Sequence, residues 1–390
     1  MLLCWILAGS AALLALASFR GERRRAAYFR ASLDAHSAYA PPVTLIVPVK
    51  GPEPGLARNL AAFAALDYPD YELIVAAQCA ADIPSGVLPP RVKVVLALGG
   101  SPQACEKVRN LVAATGAARR ASTVFAFADS DARVNPGWLR ALVAPLAEPA
   151  VGASTAYRWF LPEPPGLWSL LRAVWDSVTL GVLGPGDNPF AWGGSMALRR
   201  VVFLDAEVAQ AWKTAITDDY TLAGAVHRAG LRIAFAPGAL APSPEPIRAR
   251  AFFSWARRQL LLTRAYSRKL WQAALAAHLV YCAGMAAAGA AWIRGSTAAP
   301  WLIAALLLPG MAKGWGRVRM ARAALPSYAP WFRRWAWIHV LLVPVATWLW
   351  LAVLLSSAVG SSIRWRGLRY ALPHRGSPTR PDGHQGTPEC

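Results

Sequence analysis

At 390 residues the chain can hold one large packed domain or two ordinary ones, so size by itself excludes little. Its 55% hydrophobic content, 18 Trp residues and positive mean hydropathy are high for a soluble protein, and the apolar residues gather toward the two ends, which predicts membrane segments around a soluble middle. The formal charge of +20 suits either nucleic acid or an anionic lipid surface. Basic residues flank apolar runs, at Arg20, Arg23, Arg24 and Arg25 and again at Arg317, Arg319 and Arg322, where they can meet headgroups. No nucleic-acid-binding motif accompanies the charge, so a bilayer is the expected partner and nucleic acid is not. Cys4, Cys79, Cys105, Cys282 and Cys390 are scattered without CxxC spacing, which supports neither a disulfide framework nor a zinc site and fits a reducing, cytoplasmic setting for the middle of the chain.

Taken in order, residues 2–19 form an apolar run with no basic residue before it and an arginine-rich stretch after it. A cleaved signal peptide has the reverse polarity, so residues 1–20 are predicted to be an uncleaved anchor whose C-terminal side is cytoplasmic, and 21–42 a basic juxtamembrane linker. Between 43 and 250, short β-rich runs at 43–49, 71–77, 92–97 and 123–128 alternate with helical stretches at 56–66 and 106–118. That alternation predicts an α/β domain with a mainly parallel sheet of the nucleotide-binding type. Residues 251–271 read as a basic interfacial helix.

Apolar segments follow at 272–293, 298–312 and 335–359, within a membrane region spanning 272–360. The second is short for a span of about 20 residues, and Pro309 makes it a candidate re-entrant or interfacial piece. The stretch 313–334 and the tail after 361 are both basic although one span separates them, so one breaks the positive-inside expectation or one segment does not cross. Residues 361–390 read as a basic tail, disordered where Pro, Gly and polar residues dominate.

The strongest chemical signal is Asp129-Ser130-Asp131, directly after an apolar strand. Folds of this type place ligands at strand ends, and carboxylates one residue apart can share a hard divalent cation that neutralises a diphosphate; a solvated turn is the bland alternative. Thr217-Asp218-Asp219 opens a helical stretch, where an Asp is either a cap or a candidate base. Asp82 follows the second strand and could contact a base or ribose, or be an ordinary loop residue. Lys50-Gly51-Pro52-Glu53 makes a turn with both charge signs at the first strand end, suggestive of phosphate or uridine contact. Trp192-Gly193-Gly194-Ser195 gives a loop suited to close approach of an acceptor or diphosphate, or a plain tight turn. Trp255-Ala256-Arg257-Arg258, with Arg264, could offer guanidinium forks to a diphosphate or lie on headgroups.

In this order the motifs resemble the inverting nucleotide-sugar glycosyltransferases with the GT-A fold, and among them the ceramide glucosyltransferase branch. The likeness runs through 43–54, Asn59-Leu60, 66–72, Asp82, 107–111 with Lys107, 129–134, 193–196, Asp218-Asp219 and 362–372. The resemblance implies a UDP-sugar donor, a membrane lipid acceptor and Mg2+ or Mn2+. It implies that Lys50, Glu53, Asp82, Lys107, Asp129 and Arg258 contact the donor, that Asp129 and Asp131 hold the metal, and that Asp219 is the catalytic base. Trp192, Gly193, Gly194, Ser195 and Asp218 would form the acceptor or diphosphate loop. Of the family's late motif, Gln or Arg followed three residues on by Arg-Trp, this chain has Trp255-Ala256-Arg257-Arg258-Gln259, so Arg258 keeps its place while both flanking positions differ. Other readings are transfer to a hopanoid or polyprenyl phosphate, processive polymer synthesis, and a non-catalytic membrane scaffold. The expected location is an integral, multi-pass bacterial inner-membrane protein with a cytoplasmic catalytic domain.

Overall fold

The computed structural model describes residues 2–35, 37–99, 103–365 and 368–372, so the tail expected to be disordered lies outside the described residues. The described strands are β1 (Val43–Pro48), β2 (Tyr71–Ala77), β3 (Lys93–Leu96), β4 (Val124–Ala128), β5 (Val151–Thr155), β6 (Arg158–Phe160), β7 (Ser195–Arg199), β8 (Arg232–Phe235), β9 (Ala241–Ser243), β10 (Ser362–Trp365) and β11 (Leu368–Ala371).

The chain divides into two compact units, and its order along the sequence is interleaved between them. One unit comprises Ser32–Arg158, Pro185–Ser243 and the segment from Ser361 onward. It is built on a seven-stranded sheet in the order β3-β2-β1-β4-β7-β5-β8. β1 runs parallel to β2 and β4, and β2 to β3, while β7 enters antiparallel between β4 and β5. The sheet is thus α/β and mainly parallel, as the alternating pattern predicts. All residues of β1 and β4 are buried, which is why they read as unbroken apolar runs rather than alternating ones.

Alternation survives in what each face touches. Val43, Leu45 and Val47, with Val124, Ala126 and Ala128, join one core with Leu56, Leu60, Phe63 and Trp138. Phe125 and Phe127 point to the other face and meet Phe203 and Trp212 edge-on, at 5.1 and 5.5 Å between ring centroids. After the helices of the other unit, β10 and β11 form an antiparallel hairpin belonging to this unit.

The other unit comprises Met1–Ala31, Trp159–Gly184 and Pro244–Gly360. The expected anchor 2–19 and its basic sequel form one continuous helix, Leu2–Asp34. It packs through small residues: a Cβ built on Gly284 would stand 2.7 Å from Ala11 Cβ, and Ala8, Ala11, Ala12 and Ala288 form a shared core with Leu306. The segment around Pro309 lies within one helix, Ala299–Ala324. The apolar stretch 335–359 is divided among short helices, of which Val343–Ser357 has 15 residues, fewer than the roughly 20 a span needs. Among the described residues one helix, Arg268–Ile293, is long and apolar enough to cross a membrane.

Trp159–Gly184 falls inside the 43–250 stretch by sequence order, yet it packs with the terminal helices. The reason is aromatic. Trp175 stacks on Trp350 at 4.2 Å between ring centroids, meets Phe252 and Trp255 edge-on, and its carbonyl accepts the Trp350 indole N–H at 2.9 Å.

Candidate active site

The site is assembled from turns at the carboxyl ends of β1, β2 and β4. β1 has β2 on one side and β4 on the other, and the ends of such strands are where α/β sheets form a ligand crevice. Gly51, at φ +67°, lets the β1 turn double back so that its N–H reaches the Asp82 carbonyl at 2.7 Å. Asp82 closes its own short turn, its carboxylate accepting the Cys79 N–H at 3.3 Å. The Ser130 hydroxyl donates to Glu53, and the Asn59 amide donates to the Ser130 carbonyl at 3.0 Å. These bonds tie the Lys50–Glu53, Asp82 and Asp129–Asp131 turns to one another.

Strand pairing brings in the next loop. Ala128, the last residue of β4, faces Ser195, the first of β7, so Asp129 and the Gly193-Gly194 pair flank the same edge. At the centre stands the Lys107 ammonium, 2.7 Å from Asp129 Oδ1 and 2.9 Å from Asp218 Oδ2. Burial alone would lower the Lys107 pKa; Asp129 and Asp218 outweigh it and hold the ammonium above its ordinary value. Burial raises the Asp218 carboxyl above the usual range, to about 6, with Asp219 and Asp129 adding and Lys107 opposing. A Cβ on Gly193 would lie 2.4 Å from Asp218 Oδ2 and 2.8 Å from Lys107 Nζ, so this position admits only hydrogen.

Asp219 acts partly as a cap. Its Oδ1 accepts the Tyr220 N–H at 2.7 Å and the Thr217 hydroxyl, which fixes the side chain at the start of the helix Asp218–Arg228. Its Oδ2 faces the Gly193 N–H at 3.4 Å. One oxygen therefore orients the group and the other addresses the loop. The helix is seated by Gly152 on β5, where a Cβ would be 2.7 Å from both Leu231 Cβ and Val226 Cγ1.

The remaining predicted residues separate. Asp131 is exposed, two positions beyond Asp129. Trp192 is held through its N–H to Thr155 Oγ1 at 2.8 Å and lies under the Arg158 guanidinium. Ser195 is fully buried and accepts the Trp138 indole N–H at 3.0 Å. Arg258 is half-buried on the helix Ala249–Tyr266 of the other unit. Its neighbours Arg257 and Arg264 bond to carbonyls at the end of Val343–Ser357, Arg257 reaching Ser356 O at 3.1 Å and Val359 O at 2.8 Å. Both arginines thereby satisfy carbonyls at the helix C-terminus.

Sequence reasoning missed two contributors. Glu106, nearly buried, pairs with Lys50. Tyr370 of the β10–β11 hairpin packs near Glu106 and Cys105, and burial pushes its hydroxyl up to about 12. A Glu immediately before Lys107 was a signal for the first; nothing local marked the second.

Among the described residues no three metal-ligating side chains converge. Asp129 and Asp131 supply hard oxygen donors one residue apart, which suits a cation that completes its shell with water and substrate phosphate.

With this geometry in hand, the comparisons are specific. The sequence profile of "Glycosyl transferase family 21" matches residues 3–377, and the chain belongs to that family. It is therefore a glycosyltransferase. No curated protein matches it. Among solved structures, a mannosyltransferase from Pyrobaculum calidifontis in complex with GDP-Man and Mn2+ is similar at 20% identity over 90% of this chain and 97% of that one, with a TM-score of 0.46. A glucosyl-3-phosphoglycerate synthase from Mycobacterium tuberculosis, in complex with Mn2+, UDP and glucosyl-3-phosphoglycerate, is similar at 17% identity over 60% and 82%, with a TM-score of 0.36.

Proposed function

We propose that the protein transfers glucose or a related hexose from a UDP-sugar to the hydroxyl of a membrane lipid, in the manner of a ceramide glucosyltransferase, with inversion at the anomeric carbon. The observation that carries this reading is the convergence of Asp129 and Asp218 on Lys107 at the strand ends, with Asp219 reaching the N–H of the neighbouring Gly193. The turn at Lys50–Glu53 would contact phosphate or uridine and Asp82 the uridine part of the donor, and Asp129 and Asp131 would hold Mg2+ or Mn2+ at its diphosphate. When bound, the metal neutralises charge on the diphosphate oxygens. Lys107, released from one carboxylate, is positioned to stabilise the departing UDP.

Asp219 Oδ2 takes the proton of the acceptor hydroxyl as its oxygen bonds to the anomeric carbon and the bond to UDP breaks. Gly193, without a side chain, allows the acceptor and donor to approach the carboxylates. The basic residues beside apolar segments support an integral, multi-pass protein with its catalytic unit cytoplasmic, in a bacterial inner membrane. Retention of every carboxylate argues against a non-catalytic scaffold.

The test is product detection by mass spectrometry with a panel of UDP-sugars and membrane lipids. Asp219→Asn is expected to lower kcat by about 10²–10⁴-fold with an unchanged circular dichroism spectrum. An undiminished rate removes the base. Asp129→Asn should weaken Mn2+ binding measured by calorimetry, and activity surviving exhaustive chelation would rule out the metal role.

A further inference from the structure

We infer that the helical unit contains a binding site for a phosphate oxyanion, built from Lys313, Arg317 and His339. The N-terminal helix and the helix Ala299–Ala324 change from apolar to basic sequence at the same level, because Lys313 Nζ donates to Ser18 Oγ at 2.7 Å. One turn further on each, Glu22 pairs with Arg25 at 2.5 Å and lies 3.5 Å from Arg317 Nε. Three cations thus face one carboxylate inside a unit where Glu22 and Arg317 are nearly buried.

Arg25 is consumed by scaffolding: it bonds to Glu22, to Leu183 O at 2.7 Å and to Gly181 O. Arg317 is not. Its Nε faces Glu22 Oε1 as an ion pair at 3.5 Å, too long for a hydrogen bond, so both atoms are buried without one. His339, 1% exposed, has no partner on either ring nitrogen. Its ring stacks on Trp159 at 4.8 Å between centroids, and Gly314 brings its backbone directly against the helix that carries Arg317. The Trp159 indole N–H beside it is also buried and unpaired.

Buried unpartnered donors are rare in native structures and mark a missing ligand or water. Like charges four residues apart on one helix face, Lys313 and Arg317, repel unless an anion lies between them. Two cations beyond the one that Glu22 balances, a guanidinium Nε without a hydrogen bond, an ammonium with N–H donors beyond its bond to Ser18 and an imidazole able to donate match a phosphate oxyanion. The apolar-to-basic transition is the level at which phospholipid phosphates sit, so a headgroup is the source that the membrane placement proposed above supplies. The inference rests on that placement only for the source.

Native mass spectrometry of the full chain in non-ionic detergent, titrated with phosphatidylglycerol, phosphatidylcholine or inorganic phosphate, tests it. Phosphatidylglycerol is expected to be retained over phosphatidylcholine, and both Arg317→Gln and Lys313→Gln should weaken that retention about tenfold. Arg319→Gln, exposed on the same helix, should leave it unchanged. Lys313 is only half-buried, so its variant tests the site even if Arg317→Gln misfolds. Inorganic phosphate bound by the wild type, lost in both variants and unaccompanied by lipid, would keep the oxyanion site and assign it to free phosphate, against the membrane placement. Equal weakening by Arg319→Gln, or no preference for the anionic species, overturns the site.

Discussion

Asp218 shows how one buried carboxyl records its surroundings. Its folded pKa lies near 6 against an ordinary value of 3.8, so the native state binds a proton more tightly than the unfolded chain between those values. Stability from this group is therefore greatest below the unfolded pKa and falls as pH rises through the folded one. Asp218→Asn should remove that fall: between about pH 4 and 6 the melting temperature of the wild type drops relative to the variant, as differential scanning fluorimetry would read it. Parallel profiles would mean that Lys107 already compensates the charge. Lys107 itself cannot be dispensed with cheaply, because its loss leaves facing carboxylates, a situation that costs about 3–5 kcal/mol in buried pairs.

At this scale the sequence was readable where chemistry follows directly from a strand end. Asp129 and Lys50 could be placed because β4 and β1 end in sharp changes from apolar to polar residues. The Ser130–Glu53 and Lys50–Glu106 partnerships could not, since they join residues 77 and 56 positions apart through topology alone. The role of Ser195 was not legible for a different reason: Gly-rich turns look alike whether the next residue lines a ligand or enters a strand, and here its hydroxyl accepts the Trp138 indole N–H.

The helix Asp218–Arg228 is the element on which the proposed chemistry turns. Its first turn carries both aspartates, favourably placed for the positive end of the helix. Its body is pressed onto β5 and Leu231 at Gly152. Gly152→Ala must push the helix outward, since the obstructing atoms include Leu231 Cβ, which cannot rotate away. The expected result is a loss of about 1–3 kcal/mol in stability and a fall in kcat/KM exceeding what the unfolded fraction explains, because Asp219 moves with the helix. Thermal unfolding and steady-state kinetics on one sample would check it; unchanged kinetics would show that the carboxylates are positioned by Lys107 and Gly193 alone. Strands were the more readable elements, as their apolar runs are short and bounded by Gly, Pro and Asp. Helix Leu167–Ser177 was not assigned to its unit, because an amphipathic aromatic helix carries no mark of which core it joins.

At the scale of the whole molecule, the interleaved order of the two units matters. The chain leaves the sheet-containing unit after Arg158 and returns at Pro185, taking Trp168 and Trp175 into the aromatic cluster of the helical unit. A fragment of residues 32–243 would therefore keep the whole seven-stranded sheet while stripping Trp175 of Phe252, Trp255 and Trp350. Such a fragment is expected to aggregate or bind hydrophobic dyes strongly, and to become soluble when 159–184 is replaced by a short Gly/Ser linker. Sedimentation and dye fluorescence would measure it; a soluble, monomeric 32–243 fragment would contradict the argument.

The β10–β11 hairpin carries a consequence for biogenesis. Residues 362–371 are translated after every apolar helix in the chain, yet Tyr370 packs beside Glu106, whose partner Lys50 begins the first ligand turn. A ribosome must therefore deliver all the hydrophobic segments before the carboxylate-bearing unit can be completed, so nascent chains stalled short of the hairpin would lack this last contact at the Glu106 end of the crevice.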